Sequence, residues 1–150
     1  MSLTEGPFYT PDSPEKTDFR DDGSGDAVTL TGRVVDTRCQ PVAGAVVDLW
    51  HADDLGRYDN SGYRYRGHVR TGTDGSYRFE TIRPGYYGSR TRHYHVKIAA
   101  PRRRVLTTQL YLPGEPRNDS DWLFREALLV SLDRAHRVLV ASFEFVVPVG

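Results

Sequence analysis

The stretch Val28–Ala52, VTLTGRVVDTRCQPVAGAVVDLWHA, decides the fold. Its first nine residues alternate in the two-residue period of a β-strand. A turn follows at TRCQPVAG, and AVVDLWHA reads as a second strand. Working outward, an Asp-Gly turn at Asp74–Gly75 leads into the short strand SYRFETI. A Pro-Gly turn at Pro84–Gly85 then precedes HYHVKIAA and TTQLYLPG, and HRVLVASFEFVVPV closes the chain. Short β-branched and aromatic runs separated by Gly, Pro and Asp turns predict an all-β chain, an antiparallel β-sandwich. Residues 1–27, rich in Pro, Gly and Asp, are expected to run as a long irregular segment over it. One short helix is expected where Asp119, Ser120 and Asp121 can cap WLFREALL. The GYRYRG stretch, Gly62–Gly67, reads as a loop at a pocket mouth.

Bulk composition narrows the classes. With 150 residues and 38 % hydrophobic content, the chain suits one domain with a real core, placed at 1–150. Twenty basic side chains balance twenty acidic ones, so neither a nucleic-acid nor a membrane-surface partner is expected. The run Arg102-Arg103-Arg104 reads as a solvated turn. The single cysteine, Cys39, excludes an intrachain disulfide and has no second thiol for a zinc pair. No apolar run approaches the ~20 residues of a membrane helix. The opening MSLTEGPFYTPDSP lacks the basic-then-apolar pattern of a signal peptide, so a cytoplasmic protein is expected.

The chemistry concentrates in RPGYYGSRTRHYHVKIAA, Arg83–Ala100. Residues two apart in a strand share a face with Cα atoms roughly 6.5–7 Å apart, so His93 and His95 project together and can both reach one metal ion. Tyr94 and Val96 face the other way. Tyr86 and Tyr87 sit on the turn feeding this strand, and Tyr58 ends HADDLGRY in a loop at the sandwich rim. Phenolate oxygens form at neutral pH only beside a strong Lewis acid, and together with imidazoles they suit a ferric ion better than zinc or copper(I).

Five segments, in order, are similar to the intradiol ring-cleavage dioxygenases: EGPFY, Leu30–Tyr58, TDGSYRFETIRPGYYG, RTRHYHVKI and LTTQLYLPGE. The resemblance covers nearly the whole chain and implies an Fe(III) site held by Tyr58, Tyr87, His93 and His95. Tyr86 competes with Tyr87, which is preferred by its distance from the Pro-Gly turn. Catalytic roles are implied for Arg90, which matches an arginine that stabilises charge on the substrate, for Tyr58, which accepts a substrate proton, and for Gln109, beside the site. Thr4, Pro7 and Arg90 are expected to contact the substrate ring. The implied reaction opens a catechol between its two hydroxylated carbons with O2 to give a muconate-type dicarboxylate, in a homo-oligomer. Three positions depart from the family pattern: Thr91 stands where it has proline, Arg92 where it has a small residue, and Cys39 where it has glycine or serine.

Two other readings compete. The same turns occur in transthyretin-like and carboxypeptidase-regulatory-like sandwiches, which are binding modules without chemistry. A zinc hydrolase needs a third His, Asp or Glu near the His93 strand, and none is adjacent in sequence. His51, His68 and His136 are read as structural or exposed. Trp50 and Trp122 are read as core or interface anchors.

Overall fold

The computed structural model describes residues 1–149. Eight strands form two four-stranded sheets. They are β1 (Ala27–Asp36), β2 (Val46–Trp50), β3 (Arg66–Arg70), β4 (Ser76–Ile82), β5 (His93–Ala99), β6 (Leu106–Tyr111), β7 (Ser131–Ala135) and β8 (Val138–Val147). One sheet has the order β4-β1-β8-β7 and the other β3-β2-β5-β6. The expected sandwich is therefore present. All strand pairings are antiparallel except β1 with β8, which run parallel from Val28 opposite Leu139 to Asp36 opposite Val147.

Alternation in the strands fills the space between the sheets. Val28, Leu30 and Val34 from β1 and Phe79 from β4 meet Val47, Leu49, Tyr94, Val96, Ile98 and Leu110 from the other sheet. Each such side chain contributes about 1.5–3 kcal/mol by leaving water. Phe19, wholly buried, is the irregular segment's contribution to this core.

Three sequence expectations need correction. The helix over WLFREALL does not form; Asp121 Oδ1 accepts from Leu123 N as a cap would, but only a 3₁₀ turn at Glu126–Leu128 appears there, a run of eight residues being too short to hold a helix by itself. Arg66 and Gly67 open β3 rather than a loop, and His68, expected in a turn, lies within that strand. His136 does not begin the last strand. It turns the hairpin between β7 and β8 at φ 58°. Both missed strands lie at sheet edges with polar sequences, RGHVR and SLDRA, which carry no apolar alternation.

The irregular N-terminal segment is tied to both sheets by main-chain hydrogen bonds. Leu3 N donates to Thr107 O (2.9 Å), Lys16 N to His68 O (3.0 Å) and Glu80 N to Thr17 O (2.7 Å). Ser13 Oγ donates to Asp48 Oδ1 at 2.8 Å. These ties carry residues 4–8 across the outer face of the β3-β2-β5-β6 sheet.

The parallel β1–β8 pairing brings backbone against Gly32 with no room for a side chain. A Cβ there would stand 1.9 Å from Phe143 O, the carbonyl that also accepts from Tyr77 Oη at 2.7 Å. Gly32→Ala is expected to destabilise the fold by about 3 kcal/mol or more, because the nearest atom is a main-chain carbonyl held in the sheet rather than a side chain that can swing aside. Denaturant midpoints of the two proteins measure this, and a shift below 1 kcal/mol would contradict the packing described.

Candidate metal centre

The register of the second sheet builds the site. Trp50 is opposite His95 and His95 opposite Gln109, while His93 is opposite Tyr111. Directly opposed residues share a face. These side chains thus form a patch on the sheet's outer face, with Tyr94 and Val96 turned into the core as the alternation predicted. The roof is irregular chain: Thr4, Gly6, Pro7 and Phe8 on one side, Trp122 and Leu123 on the other. Together with Tyr58, Tyr87, Arg90, His93, His95 and Gln109 they enclose a cavity of about 620 Å³.

At the base of the cavity three donor atoms converge. Tyr58 Oη lies 2.9 Å from His95 Nε2 and 3.1 Å from His93 Nε2, and the two Nε2 atoms are 3.1 Å apart. His93 Nδ1 donates to Thr91 O at 2.7 Å, which leaves its Nε2 as a bare acceptor. His95 has no hydrogen bond at its buried Nδ1; its ring is instead held flat against Trp50, 5.0 Å between centroids and 11° between planes. Burial pulls the His93 pKa down to about 4 and that of His95 well below its ordinary value, with Arg90 adding to both and His93 adding to His95. Both rings are therefore neutral at pH 7, and their Nε2 atoms face one point. Burial raises the Tyr58 pKa despite the pull of Arg90 and Arg66, so an anionic oxygen there needs a cation beside it. Two imidazole nitrogens and a phenol oxygen crowded to about 3 Å are a donor set that suits a hard, high-valent cation.

Tyr87 reaches the cavity from the other side, edge-on to Tyr58 with centroids 5.4 Å apart and edge-on to Phe8 at 5.0 Å. Tyr86 points away, its hydroxyl donating to Glu115 at 2.8 Å. The two tyrosine loops can approach because glycines stand at the crossing. Gly56 adopts φ +84°, and a Cβ on it would lie 1.9 Å from Tyr86 O; one on Gly85 would lie 2.4 Å from Gly56 N. Gly85 N donates to Asp53 O at 2.7 Å across this contact.

Arg90 is fixed on three sides. Its Nε donates to Asp121 Oδ2 at 2.7 Å, and its Nη2 donates to Gln109 Oε1 at 2.6 Å and to Tyr111 Oη at 3.4 Å. Gln109 also accepts from Tyr111 Oη (2.9 Å) and donates to Thr4 O (3.4 Å), joining the arginine to the roof.

All eight residues singled out in the sequence (Thr4, Pro7, Tyr58, Tyr87, Arg90, His93, His95 and Gln109) line this one cavity. Sequence reasoning missed Phe8, stacked on Tyr58 at 4.5 Å, and also missed Asp121 and Tyr111. Of the two places expected for Trp122, core or interface, the core is excluded: the indole is 79 % exposed at the cavity mouth. One carboxylate does come near the His93 strand, but Asp121 is taken up by Arg90 and Thr91 N. Among the described residues no three His, Cys, Asp or Glu side chains gather as a metal-binding group.

A family model described as Dioxygenase matches residues 4–148. A chlorocatechol 1,2-dioxygenase from Rhodococcus opacus is 34 % identical over 151 residues, covering 80 % of this chain and 59 % of that protein. A hydroxyquinol 1,2-dioxygenase from Rhizobium sp. (strain MTP-10005) is 33 % identical over 162 residues, covering 89 % of this chain and 55 % of that protein. Among solved structures, the dioxygenase domain of a dioxygenase carbohydrate-binding protein fusion from Streptomyces sp. SirexAA-E matches with a TM-score of 0.96 at 46 % identity, over 100 % of this chain and 98 % of that one. The chain belongs to the intradiol ring-cleavage dioxygenase family. It spans a little over half the length of the curated relatives it matches. No helix among the described residues is long and apolar enough to cross a membrane.

The buried histidines make acid stability a test of this geometry. His51 is buried with Nδ1 bonded to Ala52 O and Nε2 to Thr81 Oγ1, and burial lowers its pKa to about 3. His51, His93 and His95 all bind protons more readily when unfolded. Above pH 6.5 both states are neutral and nothing changes; as pH falls below 6.5 toward the folded values, the unfolded state protonates first and stability is lost. Each group costs up to about 1.4 kcal/mol per pH unit. The thermal midpoint of metal-free protein should be flat from pH 8 to 7 and fall steadily from 6.5 to 5, as calorimetry can follow. A midpoint unchanged over that range would mean the imidazoles are not buried as neutral groups.

Proposed function

We propose that this chain is a non-haem ferric dioxygenase that opens a catechol-type ring between its two hydroxylated carbons, using O2. The observation that carries the reading is the convergence of Tyr58 Oη, His93 Nε2 and His95 Nε2 within 3.1 Å, with Tyr87 and Arg90 on the walls of the same cavity. Tyr58, Tyr87, His93 and His95 would hold the ion. When bound, Fe(III) supplies the Lewis acidity that favours a doubly deprotonated catechol, and two phenolates favour the ferric state.

The residues around it divide the remaining work. Burial makes Tyr58 Oη a strong base whenever it is anionic, so this oxygen takes one catechol proton. Pro7, Phe8, Trp122 and Leu123 give the ring an apolar, water-poor seat. Arg90 carries its charge at the cavity wall in an orientation set beforehand by Asp121, Gln109 and Tyr111. It stabilises negative charge developing on the substrate without having to reorganise. Gln109 acts through Arg90 and through its bond to Thr4 O, which holds the ring-side segment in place. The product is a muconate-type dicarboxylate, and the reading includes the homo-oligomer that the family resemblance implies.

Ferric-reconstituted protein is expected to show a broad visible tyrosinate-to-iron band that moves to longer wavelength on anaerobic addition of catechol. A protein that stays colourless with ferric ion would overturn the assignment. His95→Ala and Tyr87→Phe should each lose iron and ring cleavage together. Arg90→Ala should keep iron and colour while kcat falls about 10²–10³-fold; unchanged turnover would remove Arg90 from the mechanism.

A further inference from the structure

Behind the cavity wall, the loop bearing Tyr87 and Arg90 is gripped in a way the reaction itself does not require. The Tyr86 ring lies between two guanidinium groups, with Arg117 Cζ 3.8 Å and Arg92 Cζ 4.1 Å from its centroid. Its hydroxyl donates to Glu115 Oε2 at 2.8 Å, and Glu115 Oε1 stands 3.1 Å from Arg92 Nε and 3.8 Å from Arg83 Nη1. The two arginines also bind the loop's main chain. Arg92 Nη1 donates to Pro84 O at 2.7 Å, and Arg117 Nη1 donates to Gly88 O at 3.1 Å and Arg90 O at 3.4 Å. Thr91 is held beside them, its Oγ1 donating to Asn118 Oδ1 (2.6 Å) and its N to Asp121 Oδ2 (2.8 Å). One short segment, 115–121, thus restrains the loop 83–91 at five of its nine residues, and Arg92 holds a sixth, Pro84.

Tyr87 makes no comparable contacts. It is 41 % exposed and touches Phe8 and Tyr58 only edge-on, so the place of its oxygen is set by the backbone on either side. A cation on each face of a ring is attractive for both, and Glu115 offsets the repulsion between them. The pairing also accounts for Arg92 directly before His93: alternation along the strand turns it away from the imidazoles and onto Tyr86.

We infer that the Arg92–Tyr86–Arg117 stack, closed by Glu115, is a positioning device that sets Tyr87 for the metal and anchors the backbone of Arg90. The inference rests on the ligand reading of Tyr87 given above. It predicts that the ring between the guanidinium groups matters more than its hydroxyl, because the ring engages both arginines and the hydroxyl only Glu115.

The test compares wild type, Tyr86→Leu, Tyr86→Phe, Arg117→Ala and Tyr87→Phe by three readouts: the visible band after ferric loading, the rate of iron loss to a chelator, and amide hydrogen exchange over residues 85–90 in metal-free protein. Tyr86→Leu and Arg117→Ala should lose iron at least about tenfold faster, the usual scale for removing a group that orients a ligand. Their visible band should weaken toward that of Tyr87→Phe, and residues 85–90 should exchange faster while the sandwich strands do not. Tyr86→Phe should stay close to wild type. Tyr86→Leu and Arg117→Ala that match wild type in colour, iron loss and exchange would overturn the positioning role. So would a Tyr86→Phe variant as impaired as Tyr86→Leu. A colourless wild type would instead overturn the ligand reading. If Tyr86→Leu does not fold, Arg117→Ala gives the same readouts alone.

Discussion

The site depends on two loops crossing backbone to backbone. The chain at 53–56 and the chain at 85–86 come so close that any Cβ on Gly56 would stand 1.9 Å from Tyr86 O, and one on Gly85 would stand 2.4 Å from Gly56 N and 2.5 Å from Asp54 O. Gly56 also needs φ +84°, which glycine adopts without the steric cost other residues pay. This crossing brings Tyr58, on the loop after β2, to within 5.4 Å of Tyr87, on the loop after β4, measured ring to ring. The strands alone deliver the two histidines. The crossing adds the phenols, hard oxygen donors that the imidazoles by themselves do not supply.

A second constraint follows from placing the site on the outside of a sheet. The core between the sheets is a self-sufficient apolar layer, and the polar patch of His93, His95, Gln109 and Tyr111 lies on the opposite face, where it must be roofed to become dry. The roof is irregular, so its own polar groups need partners. Arg66 supplies several of them. Nearly fully buried and with no carboxylate ion pair among the described residues, it donates to Asp59 O at 2.9 Å and Phe8 O at 2.5 Å. Burying an unpaired guanidinium is costly and lowers its pKa. The return is a single residue that ties the Tyr58 loop to the segment whose Phe8 stacks on Tyr58. Gln109 plays the corresponding part between Arg90 and Thr4. Several side chains in this site thus serve two loops at once.

Much of this was legible in the amino acids. Alternation in VTLTGRVVD and HYHVKIAA gave the strands, and the spacing of His93 and His95 put both imidazoles on one face without any knowledge of the neighbours. The Gly and Pro-Gly turns marked where strands end. Legibility failed where the signal was not local. β3 and β7 are polar edge strands whose conformation comes from pairing with β2 and β8. The expected helix after Asp121 does not form although Asp121 Oδ1 accepts from Leu123 N, because a run this short becomes helical only where packing against distant segments holds it. For Trp122 the sequence left core and interface open; the structure removes the core, since the indole stands exposed at the cavity mouth.

The sequence by itself determined the sandwich class, the pair of imidazoles and the list of phenols and charges available to them, because periods of two residues and turn chemistry are properties of neighbours along the chain. Only the tertiary structure decided which phenol faces the cavity. Tyr86 and Tyr87 are adjacent and chemically identical, and the choice between them rests on Arg92, Arg117 and Glu115 capturing one ring on the far side of the loop. Contacts of that kind join residues distant in the chain. They exist only after the sheets have formed and placed the segment 115–121 against the loop.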